Sequence, residues 1–371
     1  MKVNFAVWST GLEGGGGVRA IFEIANGLVD RGHQVCISAL GGNDKWFPLK
    51  TKVNYVELPH SLKISAAIFA LKNRRAVTWL DLNSLITKIA NKFHLDLVKI
   101  LSEAIPNTDA NVATWFRTAF AVWLSKKGRR FYLMQDFYEQ MKNHYDKKLF
   151  RDTLNLPMYF LTNSKYTQEI VLEIQPKARS KIIGAGVNTE VFYPRKKEAI
   201  SSDGRPVVMI MARKEPFKRT DLAIESLNKV NKITPIHAVM VGEVPQNVTM
   251  NFPYSSFKHM SDDELANLYS ASDVFLFTSV VEGFALPPLE AMACGTPVVT
   301  TDCKGNRDYA TDGFNCLISS PEEKERRVSQ IVNVLKKEKL DHLIAGGLET
   351  AKRFTWNSVV DKFETALQEN A

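Results

Sequence analysis

The chain has 371 residues, 45% of them hydrophobic and 24% charged, and a formal net charge of +8. The length exceeds one ordinary α/β domain, the composition is average for a globular protein, and two domains, each with its own core, are expected. The positive balance fits nucleic acid, an anionic membrane surface or phosphorylated substrates, and does not choose among them. Cys36, Cys294, Cys303 and Cys316 show no CxxC spacing and read as free thiols of a reducing compartment. No apolar run approaches the roughly 18 residues of a spanning helix. Met1–Phe5 leads straight into a strand pattern rather than a leader. The cytoplasm is the expected location.

A first strand is expected over Val3–Trp8. Gly14-Gly15-Gly16-Gly17 follows, then Ile21, Ile24, Ala25 and Leu28 at helical spacing, a stop at Gly32, and a second strand over Val35–Leu40. This is a βαβ start whose glycine loop lies at the ligand edge of a sheet. Gly15-x-Gly17-x-x-Ala20 fits a permissive dinucleotide fingerprint. The second strand, however, ends Leu40-Gly41-Gly42-Asn43 without the acid that would hold a ribose, so a dehydrogenase is set aside.

Residues 61–100 are helical in pattern and basic, and Lys126-Lys127-Gly128-Arg129-Arg130 forms a second basic patch. Two readings stand: a surface for anionic lipid, and an ordinary solvated basic face, which is favoured. Phe131–Phe137 reads as a strand running into a loop. Gln135 and Asp136 fall where ligand contacts are usual, although the Asp could merely open a helix over Phe137–Tyr145. Arg117 stands near another strand end. Tyr159–Ser164 and Ile182–Asn188 complete the first half, and the charged, Ser-rich segment Arg195–Arg205 is the expected linker.

The pattern then returns. A strand over Pro206–Ala212 leads to the loop Arg213–Thr220, a helix over Asp221–Val230, a strand over His237–Val241, and Gly242. Arg213 and Lys218 suit a diphosphate, Arg as a bidentate fork and Lys as a point charge. Next come a buried strand over Asp273–Thr278, the loop from Glu282, a short helix opening near Pro287, and a strand over Val298–Thr301. Glu282 lies in a loop before a helix N-terminus, a natural anion site, and Glu290 follows eight positions later. Two carboxylates beside an anion site suggest a ligand with both phosphates and hydroxyls, a nucleotide-sugar. For Glu290 the plain alternative is an acid in a helix's first turn, worth about 0.3–1 kcal/mol.

Together these residues resemble the retaining family 4 glycosyltransferases (glycosyl transferases group 1) of the GT-B fold, over almost the whole chain. Glu282-Gly283-Phe284 through Glu290 fits that group's E-x7-E motif and continues through Ala291–Val299. Met211-Ala212-Arg213 with Lys218 resembles its phosphate-binding pair, Gly184–Pro194 the end of its first domain, and Gly14–Gly17 with Arg19 its glycine loop. The resemblance implies an α/β fold of two Rossmann-like, doubly wound domains facing across a cleft. The acceptor-side domain would be 1–198 with a crossover helix 355–371, and the donor domain 199–354. It implies a nucleotide-diphosphate sugar donor, a glycan, lipid-linked or small-molecule acceptor, and no nucleic acid. No metal is implied, and the sequence offers no metal-ligand spacing.

By the same resemblance Arg213, Lys218, Glu282 and Asp136 act in catalysis. Gly15, Gly16, Gly242, His259, Met260, Gly283, Phe284, Ala285, Leu286 and Glu290 bind the donor. Many relatives have a His where this chain has Gln135-Asp136, and the version here resembles a subgroup that includes some rhamnosyltransferases. An epimerase or phosphorylase of the same fold, or a non-catalytic carbohydrate-binding protein, are the alternatives.

Overall fold

The structure is a computed structural model describing residues 1–11, 15–57, 97–141, 143–201, 203–245, 248–258, 260–336 and 340–370. The chain divides into two compact units, residues 1–184 with 359–371, and residues 185–358.

In the first unit, β1 (Lys2–Val7), β2 (Gln34–Ala39), β3 (Val53–Tyr55), β4 (Ala110–Ala113), β5 (Arg129–Met134), β6 (Tyr159–Thr162) and β7 (Ser180–Ile182) form one sheet in the order β3-β2-β1-β4-β5-β6-β7. Every pairing is parallel. Parallel strands need covered faces, and β1 is buried from Val3 onward. Among the described residues the helices that follow or connect these strands are α1 (Gly15–Asp30), α2 (Leu97–Ala104), α3 (Phe116–Ser125), α4 (His144–Thr153) and α5 (Lys165–Ile174). On α1 the buried face is Val18, Ile21, Phe22, Ala25 and Leu28, the stripe that helical spacing predicts.

The final helix returns to this unit. Phe363 packs on Phe5 with ring centroids 5.7 Å apart. Arg31 pairs with Asp361 and Glu364. A Cβ at Gly27 would lie 2.5 Å from Val360, so only glycine admits the helix at that distance.

The second unit repeats the plan. Its strands are β8 (Val207–Ala212), β9 (His237–Gly242), β10 (Tyr254–Phe257), β11 (Val274–Phe277), β12 (Val298–Thr301) and β13 (Leu317–Ser319), in the order β10-β9-β8-β11-β12-β13. Its described helices are α6 (Thr220–Ile233), α7 (Asp262–Ala271), α8 (Leu286–Ala293), α9 (Lys324–Leu335) and α10 (Leu340–Arg353), and the chain's final helix, α11 (Trp356–Glu369), belongs to the first unit from Val359 onward. Val208, Ile210, Ile224, Leu227, Met240, Leu276, Val299 and Ile331 lie in its core. Arg327 is fully buried there, donating to Ser226, Ser319 and the carbonyls of Ser320 and Pro321, so its charge is solvated by oxygens rather than stranded.

Three expectations meet a different structure. The helix expected over Phe137–Tyr145 is a single 3-10 turn, Tyr138–Gln140, before α4. Asn143 interrupts it because its side chain accepts from the Asp146 N–H and starts a new helix. Segment 195–205, expected as the linker, lies inside the second unit, where Arg195 donates to Asp263, Asn267 and the Val191 carbonyl. In the basic patch, Lys127 donates to the carbonyls of Glu103 and Ile105, and Arg129 to those of Asp109 and Leu367. Those two cations cap backbone. Most of the basic segment 61–100 lies outside the described residues. Among the described residues no helix is long and apolar enough to cross a membrane.

Candidate functional site

Each sheet reverses its strand order once, between β1 and β4 in the first unit and between β8 and β11 in the second. In open α/β sheets, ligands bind beyond the carboxyl ends of the strands at such a reversal. In the second unit Ile210 pairs with Leu276, so the loops 213–219 and 278–285 leave the sheet side by side. They are clipped together. Thr278 donates to the Arg219 carbonyl at 2.9 Å, and the Val280 N–H to the Phe217 carbonyl at 2.8 Å.

This clipping brings Lys218 and Glu282 into contact. The Lys218 ammonium donates to both Glu282 oxygens, at 2.8 and 2.9 Å. Glu282 is 9% exposed at the side chain and Lys218 27%. An ammonium has three N–H groups and a carboxylate about four acceptor positions, so the pair leaves capacity on both partners. The two residues expected to hold phosphate and sugar therefore hold each other first.

Arg213 stands at the end of β8. Its Nη1 donates to the carbonyls of Ala212 and Val241, at 3.0 and 3.1 Å. Thr220 Oγ1 accepts from its N–H at 2.9 Å and donates to its carbonyl at 2.8 Å. Gly242, expected to touch the donor, has another use here. Its φ is +118°, and a Cβ there would fall 2.0 Å from Arg213 Nη1 and 2.2 Å from the Ala212 oxygen. Only glycine leaves room for the guanidinium.

Glu290 lies on α8, 9% exposed, and accepts from the Tyr269 hydroxyl at 3.2 Å. Burial, and then the charge of Glu290, hold the Tyr269 phenol well above its ordinary pKa, so the tyrosine keeps its proton and donates. The loop before α8 presents backbone more than side chains. The Phe284 ring is buried against Tyr309 and Phe354, with centroids 5.3 and 6.1 Å away. Ala285 has φ +69°, and its carbonyl accepts from Tyr309 at 2.6 Å.

Pro287 and Pro288 have no N–H, which removes two donors from the first turn of α8. The remaining N–H groups there are those of Gly283, Phe284, Ala285 and Leu286, and among the described residues none donates to another backbone group. Met260 is half-buried just before the Ser261 cap of α7. His259 lies outside the described residues.

In the first unit, Gly15 and Gly16 open α1 just after β1, and a Cβ on Gly15 would meet nothing within 4 Å. Gln135 donates to the Gly17 carbonyl at 3.3 Å. Asp136 is 5% exposed. It accepts from the Tyr132 hydroxyl at 2.9 Å and from the Phe116 N–H, and burial raises its carboxyl to about 7. Its oxygens thus face inward and tie the end of β5 to the start of α3, a placement that suits holding a wall better than touching a ligand. Among the described residues no group of three His, Cys, Asp or Glu could hold a metal ion.

Sequence reading did not single out Tyr269, Tyr132, Trp8 or Trp115. The tyrosines gave no signal without their partners. Nor did the tryptophans, which stand just past the ends of β1 and β4, whereas the first strand was expected to run through Trp8.

Comparison with known proteins agrees with the topology. Residues 14–191 match the family described as Glycosyltransferase Family 4, and residues 193–347 that described as Glycosyl transferases group 1. An N,N'-diacetylbacillosaminyl-diphospho-undecaprenol alpha-1,3-N-acetylgalactosaminyltransferase of Campylobacter jejuni is 21% identical over 75% of this chain and 78% of its own length. A D-inositol 3-phosphate glycosyltransferase of Stackebrandtia nassauensis is 27% identical over 54% of this chain, which spans about half (52%) of that relative. Anabaena HepE, solved in complex with UDP-glucose, superimposes with a TM-score of 0.71 at 17% identity over 100% of both chains, a likeness of fold. With family matches covering both units in turn, the chain belongs to the family 4 glycosyltransferases of the GT-B fold.

Proposed function

We propose that the protein moves a sugar from a nucleoside-diphosphate donor to a hydroxyl acceptor, with retention of anomeric configuration and without a metal ion. The observation that carries this reading is the Lys218–Glu282 pair beside Arg213 at one sheet reversal. Two cations suit a diphosphate, and a carboxylate with spare acceptor positions suits sugar hydroxyls.

In the reaction the bond from the anomeric carbon to the β-phosphate oxygen breaks, and its electron pair stays on that oxygen. The acceptor hydroxyl attacks the same face, and its proton passes to the leaving phosphate oxygen, so no enzymic nucleophile is needed. Arg213, the third N–H of Lys218 and the backbone N–H groups of 283–286 stabilise the developing charge, each donor worth about 2.7–4 kcal/mol in a dry site. Glu282 holds donor hydroxyls. Glu290, oriented by Tyr269, accepts from the ribose. Asp136 acts by fixing the loop at Phe116.

HepE was solved with UDP-glucose, and the Campylobacter relative is named for transfer to a diphospho-undecaprenol-linked sugar. These names support a UDP-sugar as the first donor to try and a lipid-linked or glycan acceptor. The test is a melting-temperature panel with UDP, GDP, dTDP and ADP, followed by donor hydrolysis with the matching sugars. One nucleotide should raise the melting temperature and its sugars should be cleaved. No shift with any of the four would leave a non-catalytic carbohydrate-binding protein as the better reading.

A further inference from the structure

Against the loop 282–286 lies a segment of the second unit that the proposed chemistry leaves unused. It follows β12 and runs from Asp302 to Tyr309. The Cys303 carbonyl accepts from the Glu282 N–H at 2.9 Å and from the Gly305 N–H at 2.7 Å. Lys304 therefore sits at the centre of a three-residue turn, with φ +63° and ψ −57°, a rare and strained conformation for a residue that carries a side chain. A Cβ on Gly305 would lie 2.5 Å from the Glu282 carbonyl oxygen and 2.7 Å from that of Gly283, so the two loops touch backbone to backbone. Asn306 ties the segment to the sheet. Its side chain accepts from the Cys303 N–H at 3.1 Å and donates to the Thr301 carbonyl at 2.9 Å.

Four described residues other than glycine have positive φ, and three of them, Arg219, Ala285 and Lys304, lie in the loops around the Lys218–Glu282 pair. Strain of this kind persists only where surrounding contacts hold it. At Ala285, with φ +69°, the holding contact is Tyr309. The Tyr309 hydroxyl donates to the Ala285 carbonyl at 2.6 Å, and its ring packs on Phe284 and Phe354, with centroids 5.3 and 6.0 Å away. Asn315 in turn donates to the Tyr309 carbonyl at 2.7 Å. Burial keeps the proton on the phenol, so it remains a donor. The peptide between Ala285 and Leu286 is planar and trans, so its N–H points opposite to its carbonyl. With that carbonyl drawn to Tyr309, the Leu286 N–H faces the other way, and it is one of the four N–H groups assigned to the diphosphate.

We infer that Tyr309 is a positioning residue of the donor site, whose hydroxyl holds Ala285 in its strained turn and thereby aims the Leu286 N–H at the diphosphate. The hydroxyl is spent on a carbonyl of the protein, so Tyr309 acts on the ligand only through the loop. A role in packing alone would reside in the ring and leave the hydroxyl dispensable. The inference rests on the transferase reading and goes beyond it, because it gives the segment after β12 a part in recognising the diphosphate.

The test is calorimetric titration of the wild-type protein and Tyr309→Phe with the nucleoside diphosphate found in the panel and with its parent nucleoside. The phenylalanine keeps the ring and removes only the hydroxyl. Affinity for the diphosphate should fall about three- to tenfold, one hydrogen bond's worth, and affinity for the nucleoside should hold. Tyr269→Phe is the contrast: it frees Glu290 instead, so nucleoside and diphosphate should weaken together. Adding Ala285→Gly to Tyr309→Phe should recover part of the lost affinity, because glycine adopts a positive φ without strain. Unchanged diphosphate affinity in Tyr309→Phe, an equal loss for the nucleoside, or no recovery in the double variant would overturn the positioning role. Diphosphate binding by the wild-type protein would leave the transferase reading intact in each of those cases, and its absence would remove both.

Discussion

The two strand reversals share a topology and differ in chemistry. At the second, Arg213 and Lys218 bring two cations, and Glu282 balances one of them. At the first, Trp8 and Trp115 pack against each other, and Arg117, which lies over both rings, is matched by Asp146. The same backbone device therefore presents a charged surface in one unit and a neutral aromatic one in the other. The charged surface is the one the proposed diphosphate donor requires. The fold supplies the position and the loop residues supply the ligand class.

The largest effect should come from breaking the charged side. Lys218→Met removes the proposed phosphate donor and also leaves Glu282, nearly buried, without its counter-charge. Transfer should fall about 10²–10³-fold. The melting temperature should fall too, because removing one partner of a buried pair costs more than the pair contributed. Adding Glu282→Gln should recover the melting temperature and leave transfer low. Recovery of turnover in the double variant would mean that Lys218 serves only to neutralise Glu282.

Gly242→Ala sharpens the comparison without removing either charge. The new methyl would meet Arg213 Nη1, and the backbone at φ +118° disfavours any side chain. Displacing the guanidinium should lower turnover by about 10–100-fold, a fraction of one full donor's worth. The loss should exceed any drop in melting temperature, read by calorimetry. Wild-type turnover in this variant would show that the position of Arg213 is unimportant.

The smallest effect belongs to the aromatic side. The carboxyl of Asp136 is raised from 3.8 to about 7 by burial. Below pH 4 it is protonated in both the folded and unfolded chains. Between about pH 4 and 7 the folded chain holds the proton more tightly, so stability declines as pH rises and levels off above 7. Asp136→Asn should flatten that slope, giving a melting temperature several degrees less dependent on pH between about 5 and 8. Equal slopes in the two proteins would exclude Asp136 as the source.

Local features were legible in the sequence, and long-range ones were not. Glu282 and Glu290 could be found because a loop, a helix start and a fixed spacing lie within one short segment. Strands such as β1 and β8 were legible as apolar runs bounded by turn residues. β3, β10 and β13, at three or four residues with mixed burial, carry no periodic signal. The Lys218–Glu282 contact spans 64 positions and exists only because β8 pairs with β11. Phe284 looked like a ligand contact because it sits in the motif loop, yet its ring is claimed by Tyr309 and Phe354 from distant segments. Gly242 was legible as the end of β9, but not that its missing side chain makes room for Arg213. Trp8 and Trp115 carried no signal in the sequence, and only the parallel register of β1 and β4 makes them a pair.

The central claim is that the charged reversal of the second unit recognises a diphosphate. Calorimetric titration tests it most directly, using the nucleotide chosen by the panel, its parent nucleoside, and the wild-type and Lys218→Met/Glu282→Gln proteins. The account predicts that the double variant loses about tenfold or more in affinity for the diphosphate, a charge-assisted contact's worth, and keeps its affinity for the nucleoside. Equal diphosphate affinity in the two proteins would contradict it.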